Sequence, residues 1–147
     1  MRLALIGDVG GHRDLLVDVL DRLGVDLDTP TMPGDLTIIQ VGDLIDRGPD
    51  SPGCVEVAAA MMTRWPDQWI QLLGNHEGNR LGGPAFWDEG LEREAEATLL
   101  DWWSERRAAL AVALRTTEFG DVLVSHGGLT ATLWHVLGKP PLADVAP

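Results

Sequence analysis

Two aspartates and an arginine lie within five positions of the sequence, directly after an apolar run. The run Leu36–Val41 has the length and composition of a buried strand, and it ends at Gly42. In an open α/β sheet, ligands bind beyond the carboxyl ends of the strands. We therefore expect Asp43 to bridge two cations, Asp46 to orient a neighbouring histidine, and Arg47 to bind phosphate oxygens. An ordinary polar turn is the alternative interpretation.

Three other apolar runs also lead into a turn that contains glycine and a residue able to bind metal. They are followed by Asp8, by Asn75 and His76, and by His126. Hard divalent cations prefer such a mixture of carboxylate, amide oxygen and imidazole. The sequence therefore predicts a metal site at the ends of these strands, although each residue taken alone could be a turn, cap or structural residue.

The motifs Gly-Asp, Gly-Asp-Leu-Ile-Asp-Arg-Gly, Gly-Asn-His-Glu and His-Gly-Gly occur in this order between Leu3 and about Leu129. Together they resemble the calcineurin-like metallophosphoesterases, specifically the phosphoprotein phosphatase branch. The resemblance implies one phosphoesterase domain over residues 1–147, lacking its carboxy-terminal part. The implied fold is a layered α/β structure, a β-sandwich flanked by helices whose second sheet is incomplete.

The resemblance implies that Asp8, Asp43, Asn75 and His126 bind the metals. The family normally has a histidine two residues after the first aspartate, where this chain has Gly10. We predict that His12 replaces it as a ligand, because the flexible glycine turn could return its imidazole toward Asp8. A role for His12 in opening the next helix, or in binding phosphate there, is the alternative.

His76, Asp46 and Arg47 are the predicted catalytic residues. His76 would protonate the leaving oxygen while Asp46 holds its ring, and Arg47 would clamp the phosphate. The family normally has a further motif, Gly-His-Thr or Gly-His-x-His, which this sequence lacks up to Pro147. Either the chain is truncated, or water and a weaker ligand complete the coordination of the second metal ion. We consider His135 as that ligand but interpret it as a structural histidine of a helix.

The reaction implied by the resemblance is hydrolysis of a phosphoester by a water that bridges two divalent metal ions. Manganese is the expected metal, with iron, zinc or magnesium as the other candidates. A serine/threonine phosphoprotein phosphatase-like phosphomonoesterase is the first expectation. The alternatives are a dinucleoside polyphosphate hydrolase and a non-catalytic or truncated phosphate-binding module.

The composition of this 147-residue chain limits the classes of partner that it is expected to bind. Its formal net charge of -12 argues against a nucleic acid, since there is no basic stripe to neutralise phosphates. No apolar run approaches the roughly 20 residues of a membrane span. Cys54 is the only cysteine, so we expect a soluble protein of the reducing cytoplasm. The expected partners are a phosphorylated substrate and a second copy of the chain, bound through an uncovered sheet.

Alternating apolar patterns predict the elements that hold this site. The expected strands span residues 2–7, 36–41, 68–73, 109–115 and 121–125, and the expected helices span residues 15–23, 55–64, 91–107 and 129–137. Ser51 is expected to cap the second of these helices, and Glu77 is expected to stabilise the start of the helix that follows it.

Overall fold

The structure is a computed structural model that describes residues 1–87, 90–141 and 144. Its main sheet has four parallel strands in the order β1-β2-β3-β4. These strands are β1 (Arg2–Ile6), β2 (Leu36–Gln40), β3 (Trp69–Leu72) and β4 (Ala108–Ala109). Since the strands are parallel, their carboxyl ends meet at one edge of the sheet, and the predicted site residues follow these ends.

Three of the five described helices cover one face of the main sheet. The helices are α1 (Arg13–Leu23), α2 (Ser51–Arg64), α3 (Asn75–Arg80), α4 (Arg93–Ser104) and α5 (Ala131–Val136). The larger core lies between this face and helices α1, α2 and α4, and it includes Leu16, Ile38, Met61 and Trp102. Alternate β2 residues point to opposite faces, so Ile38 joins this core while Ile39 joins a second one.

A two-stranded antiparallel sheet packs on the other face. It consists of β5 (Ala111–Thr116) and β6 (Gly120–Ser125). Val124 of this hairpin packs with Ile39 and Leu72 in the second, smaller core. The expected arrangement of helices, parallel sheet and incomplete second sheet is confirmed for the described residues.

Two local expectations were wrong. Residues 109–115 are not one strand, because the chain changes sheets there: Ala109 pairs with Leu72 of β3, whereas Ala111 pairs with Ser125 of β6. The second concerns the start of α2, where Asp50 rather than Ser51 caps the helix by accepting the Gly53 N–H at 2.8 Å.

Cys54 is buried in the core, as its apolar surroundings on α2 required. Burial raises the pKa of its thiol to about 12, so the thiol stays protonated and unreactive. Among the described residues, no helix has both the length and the apolar character needed to cross a membrane.

Candidate active site

The turns after β1, β2 and β3 are joined by backbone contacts. The N–H groups of Val9 and Gly10 donate to the Asp43 carbonyl at 3.0 and 2.8 Å. Gly42, with a φ of 100°, leaves no room for a side chain, since its Cβ would lie 2.3 Å from the Gly74 nitrogen. A Cβ on Gly74 would lie 2.2 Å from Asp43 Oδ1. Glycine at these two positions therefore lets the turns approach closely enough to share ligands.

Asp8, Asp43 and His126 meet at this edge of the sheet. Each offers one ligand atom, and these atoms all lie within 4.8 Å of one another. Asn75 joins them, because its Oδ1 lies 3.0 Å from His126 Nε2. Four of the five predicted metal ligands are thus brought together by turns that are distant in sequence.

The hydrogen bonds of His126 suit a metal ligand. Its Nδ1 lies 3.2 Å from the Val41 carbonyl, which can only accept, so we assign the ring proton to Nδ1. The unprotonated Nε2 then faces Asn75 Oδ1 and Asp43 Oδ1, the latter at 3.4 Å. A cation satisfies three such lone-pair donors, and a backbone carbonyl on the other ring nitrogen is the usual support of a metal-binding histidine. The residues therefore fit at least one divalent ion.

His12 is not in this cluster. It precedes the first residue of α1, and its side chain is exposed beside Pro49 and Asp50. His135 is likewise exposed, on α5. Within the described part of the chain, no other histidine, cysteine or acidic residue joins Asp8, Asp43 and His126.

A second group lies beside the metal cluster and consists of Asp46, Arg47, His76 and Arg80. His76 Nδ1 lies 2.7 Å from Asp46 Oδ2, and Arg47 Nη2 lies 2.8 Å from His76 Nε2. A guanidinium can only donate, so Nε2 accepts and Nδ1 carries the proton that Asp46 accepts. The imidazole is therefore neutral, with its orientation fixed from both ends.

Arg80 and Ser51 hold Asp46, and the sequence did not single out either for this role. Arg80 donates to Asp46 Oδ1 at 3.0 Å, and the Asp46 N–H donates to Ser51 Oγ at 2.8 Å. The sequence signal for Arg80 is its position four residues after His76 on α3, because residues at this spacing lie on the same face of a helix. Asp46 is buried, so the donors Arg80 and His76 compensate the loss of water around its carboxylate.

Arg47 is the half-exposed cation of the site. Its side chain is half exposed, and its guanidinium lies 3.8 Å from Asp8 Oδ2 and 3.7 Å from Asp43 Oδ2. It thus lies beside Asp8, Asp43 and His76 together. A phosphate held at this edge of the sheet would be within the range of its flexible side chain.

Glu77 was expected only to stabilise a helix start, but it joins two turns. Its carboxylate accepts the N–H groups of Gly74, Asp43 and Leu44 at 2.8 Å each, and that of Ile45 at 3.3 Å. Burial raises the pKa of Glu77, and the bonds from Gly74, Leu44 and Asp43 oppose that rise.

Three residues after β2 occupy the left-handed region. The φ angles are 51° at Asp43, 69° at Asp46 and 64° at Arg47. Such conformations cost of order 1–3 kcal/mol each and persist only where surrounding contacts impose them. Glu77 supplies such contacts for this turn, which directs Asp43 and Asp46 into the site.

Comparison with known proteins agrees with this geometry. The model of the calcineurin-like phosphoesterase family matches residues 1–143. The chain belongs to this family. Members typically bind two divalent metal ions, which accords with the cluster at the sheet edge.

Two relatives are catalytic subunits of protein phosphatases. The chain is 26% identical over 156 residues to the serine/threonine-protein phosphatase 6 catalytic subunit of Caenorhabditis elegans, covering 97% of this chain and 44% of the relative. It is 26% identical over 129 residues to a protein phosphatase 2A catalytic subunit of Dictyostelium discoideum, covering 87% of this chain and 38% of the relative. The chain thus spans less than half the length of these two relatives.

A solved structure also shares the fold of this phosphoesterase. It is a crystal structure of a protein proposed to be a diadenosine tetraphosphatase, with a TM-score of 0.50 and 24% sequence identity. The similarity covers 85% of this chain and 49% of that one. At this identity the match supports the architecture alone.

Proposed function

We propose that this chain is a metal-dependent phosphoester hydrolase, most simply a phosphomonoesterase resembling the serine/threonine phosphoprotein phosphatases. The observation that supports it is the position of the Asp46–His76–Arg47 group beside Asp8, Asp43, Asn75 and His126. A divalent ion bound there would supply an activated water and would stabilise negative charge on the phosphate. Manganese suits the mixed oxygen and nitrogen donors.

The other roles in the proposed hydrolysis are carried out by four residues of the chain. Arg47 exchanges its contact with His76 for the phosphate oxygens, which its planar guanidinium can bind in pairs. That exchange frees His76 Nε2, which can then take up a proton from solvent and pass it to the leaving oxygen. Asp46 keeps the ring in place and stabilises the charge that His76 carries when protonated. Arg80 holds Asp46 throughout.

The metal site is tested by titrating manganese into the protein by calorimetry while measuring phosphatase activity. Two bound ions with turnover support the hydrolase. At most one ion and no hydrolysis, in a folded sample, support the non-catalytic module, which the position of His12 outside the cluster favours.

His126→Ala is expected to weaken manganese binding at least tenfold, because loss even of a residue that only supports a ligand costs about 10–100-fold. Manganese binding that His126→Ala leaves unchanged would contradict the assigned site.

His12→Ala tests whether His12 is the fifth metal ligand. Unchanged stoichiometry and affinity in His12→Ala would exclude His12 as a ligand, and loss of a bound ion would support it as one.

The substrate is tested separately. A phosphoserine or phosphothreonine peptide and diadenosine tetraphosphate are assayed side by side with the same manganese-loaded protein. Faster hydrolysis of the peptide supports the phosphoprotein phosphatase assignment, and faster hydrolysis of the dinucleotide supports the alternative.

The reducing cytoplasm is the proposed location, supported by Cys54 as a buried thiol.

We also propose that a second copy of the chain covers the open face of β1. Leu5 is 57% exposed although its register partner Ile39 is buried, because the hairpin does not reach β1. Leu5, Val124 and Trp134 line a groove of about 660 Å³ whose surface is mainly apolar. Exposed apolar surface of this kind favours association.

Leu5→Glu is expected to shift the protein toward the monomer, because it places a charge in the centre of the apolar groove. Sedimentation velocity over a range of protein concentrations measures the change. Leu100→Glu, at an exposed leucine of α4, is the matched control and is expected to leave the distribution unchanged. A wild-type protein that stays monomeric at all concentrations contradicts the association.

A further inference from the structure

The segment after α3 folds back over the acid–base histidine. The Gly83 N–H donates to the Gly78 carbonyl at 2.8 Å, and Gly82 has a φ of 88°. Asn79 then fixes the returning chain, since its Oδ1 accepts the Phe86 N–H at 3.0 Å and its Nδ2 donates to the Trp87 carbonyl at 3.3 Å. The side chains of Phe86 and Trp87 are therefore held over α3 by defined contacts.

Both aromatic rings pack edge-on against His76. The ring centroid of Phe86 lies 5.0 Å from that of His76, with an interplanar angle of 82°. Trp87 lies at 5.2 Å and 65°. Together with Asp46 and Arg47, they leave His76 only 1% exposed. The space beside His76 Nε2 is thus bordered by aromatic carbon as well as by charge.

Neither ring is fully used by the contacts of the described residues. Phe86 remains 50% exposed, although its edge meets His76. The buried indole Nε1 of Trp87 has no hydrogen-bond partner within the described part of the chain. A half-open aromatic surface therefore lies next to the residue that serves the leaving oxygen, together with an indole N–H that has no partner among the described residues.

We propose that Phe86 and Trp87 form a leaving-group subsite for an aromatic ring. This inference rests on the proposed hydrolase function and names the substrate class: phosphoesters whose leaving alcohol carries a planar ring. An aryl ring or a nucleobase supplies the same chemistry, since both present a flat face or edge to Phe86. Trp87 supplies the second ring beside His76.

The ring binds only while the leaving group is positioned near His76. Its contact energy therefore contributes to orientation of the scissile bond, and truncating Phe86 is expected to reduce kcat/KM selectively for substrates with a ring. Aromatic pairs of this kind correspond to a roughly threefold to tenfold effect. Substrates without a ring should lose little.

Two substrate pairs with the manganese-loaded protein test this subsite. The first compares phenyl phosphate with an alkyl phosphate whose alcohol is fluorinated until it is about as acidic as phenol. The second compares adenosine monophosphate with ribose 5-phosphate. In Phe86→Ala, the ratio of kcat/KM values within a preferred pair is expected to fall roughly threefold to tenfold. The pair that responds shows whether the ring is aryl or nucleobase.

Phe119→Ala is the control for Phe86→Ala, because Phe119 is 73% exposed in the hairpin turn. It should leave both ratios unchanged. Trp87→Phe retains a ring but removes the indole N–H, so it should lower the ratio less than Trp87→Ala. Ratios in Phe86→Ala and Trp87→Ala that equal those of the wild type would overturn the subsite.

Binding of non-hydrolysable analogues distinguishes failure of this inference from failure of the hydrolase function. Phenylphosphonate is expected to bind the manganese-loaded protein more tightly than methylphosphonate by calorimetry, and Phe86→Ala is expected to abolish the difference. A retained difference in Phe86→Ala, or equal wild-type affinities, contradicts the subsite. The protein could hydrolyse none of the substrates and still bind phenylphosphonate more tightly in a Phe86-dependent way. That result would support the subsite and reject only the proposed hydrolase activity.

Discussion

His76→Ala is expected to lower kcat by about 10²–10⁴-fold on an alkyl phosphate, the usual contribution of a positioned acid or base. The loss should be smaller on 4-nitrophenyl phosphate, because its leaving group departs without a proton. The reason lies in the contacts of the ring: Asp46 orients Nδ1 at 2.7 Å, and Nε2 becomes available when Arg47 moves to the phosphate. Steady-state kinetics with both substrates measure the difference.

Equal losses on the two substrates would remove the role of His76 as an acid. His135→Ala is the matched control, since this histidine is exposed on α5 and lies outside both groups of site residues. It is expected to leave kcat unchanged. Manganese stoichiometry measured on His76→Ala separates a lost acid from a lost metal, because His76 Nε2 also lies 3.9 Å from Asp43 Oδ2.

The strands and the residues at their ends could be predicted from local sequence. Strands β1, β2 and β3 belong to short apolar runs that end at glycine, so Asp8, Asp43 and Asn75 were predictable as neighbours at one sheet edge. His126 followed from the same pattern after the hairpin. These signals are local, and the fold brings them together because parallel strands share one carboxyl edge.

Features that depend on partners distant in sequence were not predictable. The change of sheet at Leu110 leaves no local signal, because β4 and β5 have similar apolar composition but pair with different strands. The exposed position of His12 reflects the start of α1, where the backbone turns away from Asp8. Ser51 was expected to cap α2, but its hydroxyl is engaged by the Asp46 N–H.

Glu77 shows the same limit most clearly. An acid in the first turn of a helix predicts a local capping contact, and the bond from the Gly74 N–H fulfils that expectation. Its bonds from Asp43, Leu44 and Ile45 come from a turn more than thirty residues earlier in the sequence. Only the fold shows that one carboxylate contacts the backbone of the turn that holds Asp43 and Asp46.

Glu77→Ala is expected to lower the free energy of unfolding by about 3–5 kcal/mol, since it leaves four N–H donors without their acceptor and each buried orphan costs about 1–3 kcal/mol before relaxation. That is a large share of the roughly 5–15 kcal/mol by which domains are stable. Urea denaturation measures it as a lower midpoint at an unchanged m-value.

Glu77→Gln keeps one oxygen acceptor and removes the buried charge, so its loss should be smaller than that of Glu77→Ala. Glu56→Ala is the control, because Glu56 is an exposed carboxylate of α2 and such substitutions change stability by about 0.5 kcal/mol or less. A Glu77→Ala protein as stable as Glu56→Ala would contradict the bridging role. Weaker manganese binding in a still-folded Glu77→Gln would show that the same carboxylate also holds Asp43 in its ligand position.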